Sequence, residues 1–142
     1  MNRQLTYIIM ALLLGGISNG SAQDEKPVLF IDASPVELYR TVHRAKWKVD
    51  VDTVLGCTSR RVDATPETVY KRLMQERSTL PQTIDEIEEK IVGKIATLVA
   101  TGRRSDRETD KVITSRGKIT LVKEDGTWRI RHEAWQDVET SE

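Results

Sequence analysis

Lys118-Ile-Thr-Leu-Val-Lys-Glu-Asp-Gly-Thr-Trp-Arg-Ile-Arg-His-Glu-Ala-Trp135 reads as two β-strands joined by a two-residue Asp125-Gly126 turn. Asp-Gly between alternating strands is a strong hairpin signal, because a type I′ turn needs two successive residues that tolerate positive φ. A strand sends successive side chains to opposite faces, so Trp128, Ile130, His132 and Ala134 are expected on one face. Arg129, Arg131, Glu133 and Trp135 then share the other. One apolar face and one charged face is the pattern of an antiparallel sheet covered on one side.

At the other end of the chain, Met1-Asn-Arg3 precedes an apolar run from Tyr7 to Ile17 and the small residues of Ser18-Asn-Gly-Ser-Ala22. A basic start, a short apolar core and a small-residue exit are the parts of a secretory signal peptide. The core falls short of the roughly 20 apolar residues of a comfortable membrane span, and no charged stop-transfer flank follows it. Residues 1–22 are therefore expected to be removed on export, leaving 120 residues and no stable membrane anchor. That is one ordinary domain. Its destination is the periplasm if the host is Gram-negative, and otherwise the outside of the cell.

The chain has 22 basic and 22 acidic residues, and losing Arg3 brings the mature net charge to −1. Such a balance gives no global attraction to nucleic acid or to an anionic membrane. Cys57 is the single cysteine, so no intramolecular disulfide can form even in an oxidising compartment. Val54-Leu-Gly-Cys57 resembles a lipoprotein box, but Arg44-Ala-Lys-Trp-Lys48 precedes it instead of an apolar run. A buried, inert thiol is the expectation.

Residues 23–33 form a lead-in, with Val28-Leu-Phe-Ile31 expected to pack against the domain. Ser34 as N-cap, Pro35 at N1 and Glu37 at N3 then announce a helix with a capping box. Leu38, Val42, Ala45 and Val49 form its core stripe, and Tyr39, His43 and Trp47 a second stripe on another face. Asp50 or Asp52 can cap a short second helix carrying Val54 and Leu55. Thr65-Pro66-Glu67 starts a third, whose apolar face is Val69, Tyr70, Leu73 and Met74.

Thr83 to Val99 fits helical spacing through Ile84, Ile87, Ile91, Ile95 and Leu98, yet Gly93 interrupts it and β-formers follow. Strand, Val92-Gly93 turn, strand is preferred, although periodicity alone leaves both open. Gly102 to Glu108 reads as a polar hairpin tip, and Lys111 to Val122 as a long strand with Gly117 a bulge or bend. The main domain is expected over residues 34–136, and residues 137–142 form an acidic, frayed tail.

Helices first, then a four-stranded meander ending in Leu121-Val-Lys-Glu-Asp-Gly-Thr-Trp-Arg-Ile130, is an order that resembles the nuclear transport factor 2-like superfamily. These cone-shaped α+β domains include ketosteroid isomerase and polyketide cyclases, and this chain is similar to their small exported bacterial members. Ser34-Pro-Val-Glu-Leu-Tyr39, Lys48-Val-Asp-Val-Asp52 and Ile91-Val-Gly-Lys-Ile-Ala96 carry the likeness with that last segment, which covers nearly the whole mature chain. The resemblance implies N-terminal helices packed on a curved four-stranded antiparallel sheet around a pocket. It also favours the strand–turn–strand reading of Thr83 to Val99.

The sequence has no zinc-ligand spacing, no Gly-x-Ser-x-Gly, no phosphate loop and no dinucleotide fingerprint, so no metal and no cofactor are expected. The pocket candidates are Tyr39, His43, Leu121, Trp128, Ile130 and His132. His132, paired with an acid in an apolar pocket, would be a fair general base. A half-buried sheet histidine with a satisfied hydrogen bond is the competing reading, as a solvent-side or interface stripe is for Tyr39, His43 and Trp47.

The isomerase-like enzymes place a tyrosine in the first helix, an aspartate base and a second acid in the sheet. Here Tyr39 lies nearly one turn from the expected place, Asp63 is the one acid near the second position, and no inward strand acid is identified. The basic cluster Arg103, Arg104, Arg107 and Lys111 interleaves with Asp106, Glu108 and Asp110 and carries no aromatic residue for base stacking, so no nucleic-acid partner is expected.

Two functions without catalysis follow. The domain binds a small apolar molecule in a deep pocket, or it associates with itself as a homodimer or with a protein partner. The second case has a shallow cavity and buries an outer sheet face that includes Arg129, Arg131 and Trp135. The alternative is an isomerase-, cyclase- or dehydratase-like enzyme with His132 as base.

Overall fold

Ser34 accepts from the Glu37 amide and Glu37 accepts from the Ser34 amide, so the capping box forms as its residues demand. It opens α1, Pro35–Lys48, in a computed structural model that describes residues 32–138. The expected signal peptide over residues 1–22, most of the expected lead-in and residues 139–142 lie outside the described residues. Asp50 caps α2, Val51–Gly56. Thr65, with Pro66 at N1, caps α3, Pro66–Glu76, through a reciprocal box with Thr68. Among the described residues no helix is long and apolar enough to cross a membrane.

Four strands follow: β1, Thr83–Val92; β2, Ile95–Ser105; β3, Val112–Glu124; and β4, Thr127–Asp137. They form one antiparallel sheet in the order β1-β2-β3-β4. The strand–turn–strand reading of Thr83 to Val99 is the correct one, with Gly93 at φ 60° in the turn. Asp125 and Gly126, at φ 50° and 78°, make the tight turn between β3 and β4. Strand β2 runs on through Ser105, so the hairpin tip begins at Asp106 and not at Gly102. Asp137 belongs to β4, where Ser115 Oγ donates to it at 2.9 Å, and is not part of a frayed tail.

The concave face of the sheet is lined by small residues as well as large ones. Ala96, Ala100, Gly102, Ser115 and Gly117 are all buried there, beside Leu98, Ile119 and Leu121. The missing side chains leave room for Pro81 at Gly102 and for the Trp135 ring at Gly117, and two stripes of α1 are covered. Leu38, Val42 and Ala45 are buried as expected, and so are Tyr39 and His43, which overturns the solvent-side reading of the second stripe. On α3 only Val69 and Leu73 reach the core. Tyr70 and Met74, one residue further round the helix, are 50% and 44% exposed.

The register of β4 departs from strict alternation. Thr120 faces His132 and Leu121 faces Ile130, which leaves Arg131 as an extra residue, a β-bulge. One inserted residue reverses every side chain beyond it. Trp128 and Ile130 point to the concave side with Leu121, as expected. After the bulge, Glu133 pairs with Ile119 and Trp135 with Gly117 on the concave side, while His132 and Ala134 turn outward. The expectation that His132 faces inward and Glu133 outward is thereby reversed. The bulge sits here and not at Gly117, which keeps regular register.

Gly117 instead makes room for the Trp135 ring, whose nearest atom would lie 2.6 Å from a Cβ at that position. Gly117→Ala is expected to destabilise the fold by about 1–3 kcal/mol through overpacking. Chemical denaturation followed by tryptophan fluorescence checks this. An unchanged midpoint would mean the ring moves aside without cost.

Candidate functional site

Tyr39 and Lys46 are seven residues apart, two turns of α1, so both side chains leave the helix on one side. They converge on Glu133. Tyr39 Oη donates to Glu133 Oε2 at 2.8 Å and Lys46 Nζ to Oε1 at 2.6 Å. Trp135 Nε1 also donates to Oε2, at 2.7 Å. Lys46 reaches a second carboxylate, Glu76 at the end of α3, at 3.4 Å. The Lys46 and Glu133 side chains are 10% and 9% exposed, so this ion pair is held away from bulk water.

Burial alone would raise the Glu133 pKa, but the Lys46 charge and the three donated hydrogen bonds outweigh it and hold the carboxyl below its ordinary range. Burial likewise opposes the Lys46 ammonium, and the charges of Glu133 and Glu76 reverse that, raising its pKa. The Tyr39 phenol is pushed up by burial and by the Glu133 charge. The four groups therefore rest as a carboxylate, an ammonium and two neutral donors. This interior acid was not identified from the sequence. One signal for it exists: Trp135 and the Trp128–Ile130 pair have opposite strand parity, so placing all three in the core requires an inserted residue between them.

Among the other predicted site residues, His43 Nε2 lies 2.7 Å from the Pro81 carbonyl. A carbonyl can only accept, so this nitrogen carries the proton. Trp47 Nε1 donates to the same oxygen at 2.9 Å, which ties the α3–β1 connection to α1. Burial lowers the His43 pKa, leaving a neutral ring at pH 7. Leu121 is fully buried in the core, and Trp128 is buried beneath Lys123, whose ammonium lies 5.6 Å from the ring centroid. Ile130 is half-buried beside a cavity of about 80 Å³ that Lys46 and Glu133 also line.

His132 is exposed on the outer face opposite Thr120, so the structure does not bring it together with the other five. Asp63 is exposed in the loop before α3. Arg129, expected on an open face, is buried and donates from Nη1 to the Gly56 carbonyl. The segment after α2 covers that edge of β4: Ile130 donates to the Cys57 carbonyl at 2.7 Å and accepts from Ser59 at 2.8 Å. Cys57 itself is buried and its thiol is pushed up to about 12 by desolvation, the inert thiol expected. Among the described residues no group of His, Cys, Asp and Glu is arranged to hold a metal ion.

The Lys46–Glu133 pair makes stability depend on pH with a definite sign. A depressed folded pKa means that Glu133 contributes above its unfolded value, near 4.5, and the contribution is lost as pH falls through the folded value. Glu133→Gln leaves Lys46 buried with one weaker partner and is expected to cost about 3–5 kcal/mol at pH 7. The gap between wild type and variant should hold down to about pH 4.5 and narrow below it. Urea unfolding of both proteins at pH 7 and pH 3 is the measurement. A gap of equal size at the two values would remove the charge from the explanation.

No protein-family model matches the sequence. No curated protein matches it. Solved structures do share its fold. A ketosteroid isomerase-like protein from Shewanella frigidimarina NCIMB 400 superposes with a TM-score of 0.61 at 18% identity, over 75% of this chain and 97% of that one. A protein of unknown function from Pseudomonas putida KT2440, described as NTF2-like, gives 0.55 at 11% identity, over 70% and 81%. The CaMKII hub of S. rosetta gives 0.55 at 16% identity, over 75% and 98%. Three helices laid on a curved four-stranded antiparallel sheet, shared with these structures over most of their length, give this chain the nuclear transport factor 2-like fold.

Proposed function

We propose that this protein is an exported, non-catalytic interaction domain that associates with a second copy of itself through the outer face of its sheet. The observation that carries the reading is the filled cone. Glu133, Lys46, Tyr39 and Trp135 occupy the space beneath α1 where a deep pocket would lie. The two cavities that touch Glu133 measure about 80 and 140 Å³, below the roughly 300 Å³ at which small-molecule sites begin. The interior acid is held as a carboxylate by three donors, and His132 stands outside the cone. Both facts weigh against a general base acting inside it.

The outer face has the surface such a domain needs. Its centre is a band of Thr97, Val99 and Thr101 on β2 beside Thr120 and Val122 on β3, all half-buried. Glu86, Glu88 and Lys90 flank it on β1, and Arg116, Lys118, Arg131 and His132 on β3 and β4. A two-fold axis running along the strands between β2 and β3 lays β1 of one copy over β4 of the other. Glu86 and Glu88 of each copy then come level with Arg116 and Lys118 of the other, and Thr97 meets Thr120, while Lys90 comes level with His132. Arg131 takes part, but Arg129 and Trp135 do not, because both are covered within one copy. One structure of this fold is named a hub, which accords with association.

Export rests on the N-terminal segment: one basic residue, an apolar run and a small-residue exit. The whole chain, expressed and recovered from the export compartment, is expected to have lost residues 1–22 and to run as a dimer in native mass spectrometry and light scattering. Val99→Lys sets a charge in the middle of the neutral band and is expected to weaken the dimer at least about 100-fold while leaving the circular dichroism unchanged. A monomer at tens of micromolar, or a dimer indifferent to Val99→Lys, would sink this reading.

A further inference from the structure

We infer that a groove at the open end of the cone binds a small organic acid with an apolar body. The groove measures about 390 Å³, several times the size of either interior cavity and within the range of small-molecule sites. It lies on the helix side of the sheet, away from the outer face. One wall is built by Trp47, Met74, Arg77 and Leu80, from the end of α1, α3 and the α3–β1 connection. The facing wall is the end of β2 and its turn, with Arg104 and Arg107.

The walls divide the work of recognition. The indole nitrogen of Trp47 is already committed to the Pro81 carbonyl, so the ring offers the groove apolar surface alone. Met74 adds more, being 44% exposed although its chemistry favours burial. Arg77 and Arg107 are exposed and have no ion-pair partner among the described residues. Arg104 gives Nη2 to Asp137 at 2.9 Å, while its Nε is a buried donor without an acceptor.

Two acids share the rim. Asp106 has both oxygens engaged, by the Glu108 amide at 3.0 Å and by Thr109 Oγ1 at 2.9 Å, and these bonds hold its pKa down. Glu108 alone has an uncommitted carboxylate there, against the two unpaired guanidinium groups. An arginine fork matches a carboxylate in two parallel hydrogen bonds. A ligand whose acid head meets Arg77 and Arg107 while its body lies on Trp47 and Met74 gives both unpaired guanidinium groups a partner and covers the exposed apolar surface.

The test is an NMR titration of the protein with 2-naphthoate as probe and 2-naphthamide as its neutral control. Naphthoate is expected to shift the Trp47 indole N–H and the amides of residues 77–80, 82 and 104–108, with a Kd below about 1 mM. The amide should bind at least about 10-fold more weakly, since it lacks the charge. Arg77→Gln and Arg107→Gln alter exposed side chains and should each raise the naphthoate Kd about 3- to 5-fold without moving the melting temperature. Equal binding of acid and amide, shifts centred elsewhere, arginine variants with unchanged Kd, or no shift at about 5 mM probe would each overturn the inference. A monomeric protein that still binds naphthoate here would fail the dimer reading and leave the groove standing.

Discussion

A carboxylate under a helix must be matched, and the fold is arranged around matching Glu133. Lys46 neutralises it, and Tyr39 and Trp135 complete its hydrogen bonding. Three elements have to be in place for this to happen. Helix α1 must cross the sheet with its Tyr39–Lys46 side down, α3 must end where Glu76 can take the far side of Lys46, and β4 must carry its bulge. Buried ion pairs add little net stability, because desolvation offsets most of the attraction, but losing one partner is costly. The driving force is the apolar cluster of Leu38, Val42, Leu98, Ile119 and Leu121. What the polar group contributes is selection: a register in which Glu133 faced water would leave Lys46 buried with Glu76 alone.

The parts of this structure that were legible in the sequence are those governed by neighbours along the chain. Caps at Ser34, Asp50 and Thr65 and the Asp125-Gly126 turn involve atoms within four residues of one another, so residue type suffices to locate them. The family order of helices and strands was legible for the same reason. The site was less so. Arg131 has no local signature as a bulge, since what makes it one is the pairing of Thr120 with His132 and of Leu121 with Ile130. Strict alternation therefore put the wrong one of two adjacent residues in the cone. The burial of α1's second stripe was hidden too, because it rests on contacts with β4 and with the α3–β1 connection. Tyr39 and His43 were picked out by type, but the groups they are buried against, Glu133 and the Pro81 carbonyl, are distant in sequence.

The bulge also bears on what the domain can do. It exchanges an interior histidine for an interior carboxylate, and the carboxylate is already paired. Proton transfer needs a group whose two protonation states are close in free energy at the working pH. The Lys46 charge and three donors separate those states for Glu133, while burial keeps His43 neutral with its Nε2 proton on a carbonyl. Histidine 132, the remaining candidate, gains solvent and loses the acid that would have oriented it.

With the interior committed to its own side chains, both proposed modes of recognition use surfaces outside it. Their chemistry differs in a way that follows from strand geometry. The outer face sets threonine and valine among long charged side chains, Glu86, Glu88 and Lys90 on β1 and basic groups on β3 and β4, and the proposed association would bring Glu86 and Glu88 toward Arg116 and Lys118. At the mouth the concave face meets α1 and the end of α3, so apolar rings and arginines from different elements lie side by side. The proposed association and the proposed acid site lie on opposite sides of the sheet. Occupying one surface therefore need not disturb the other.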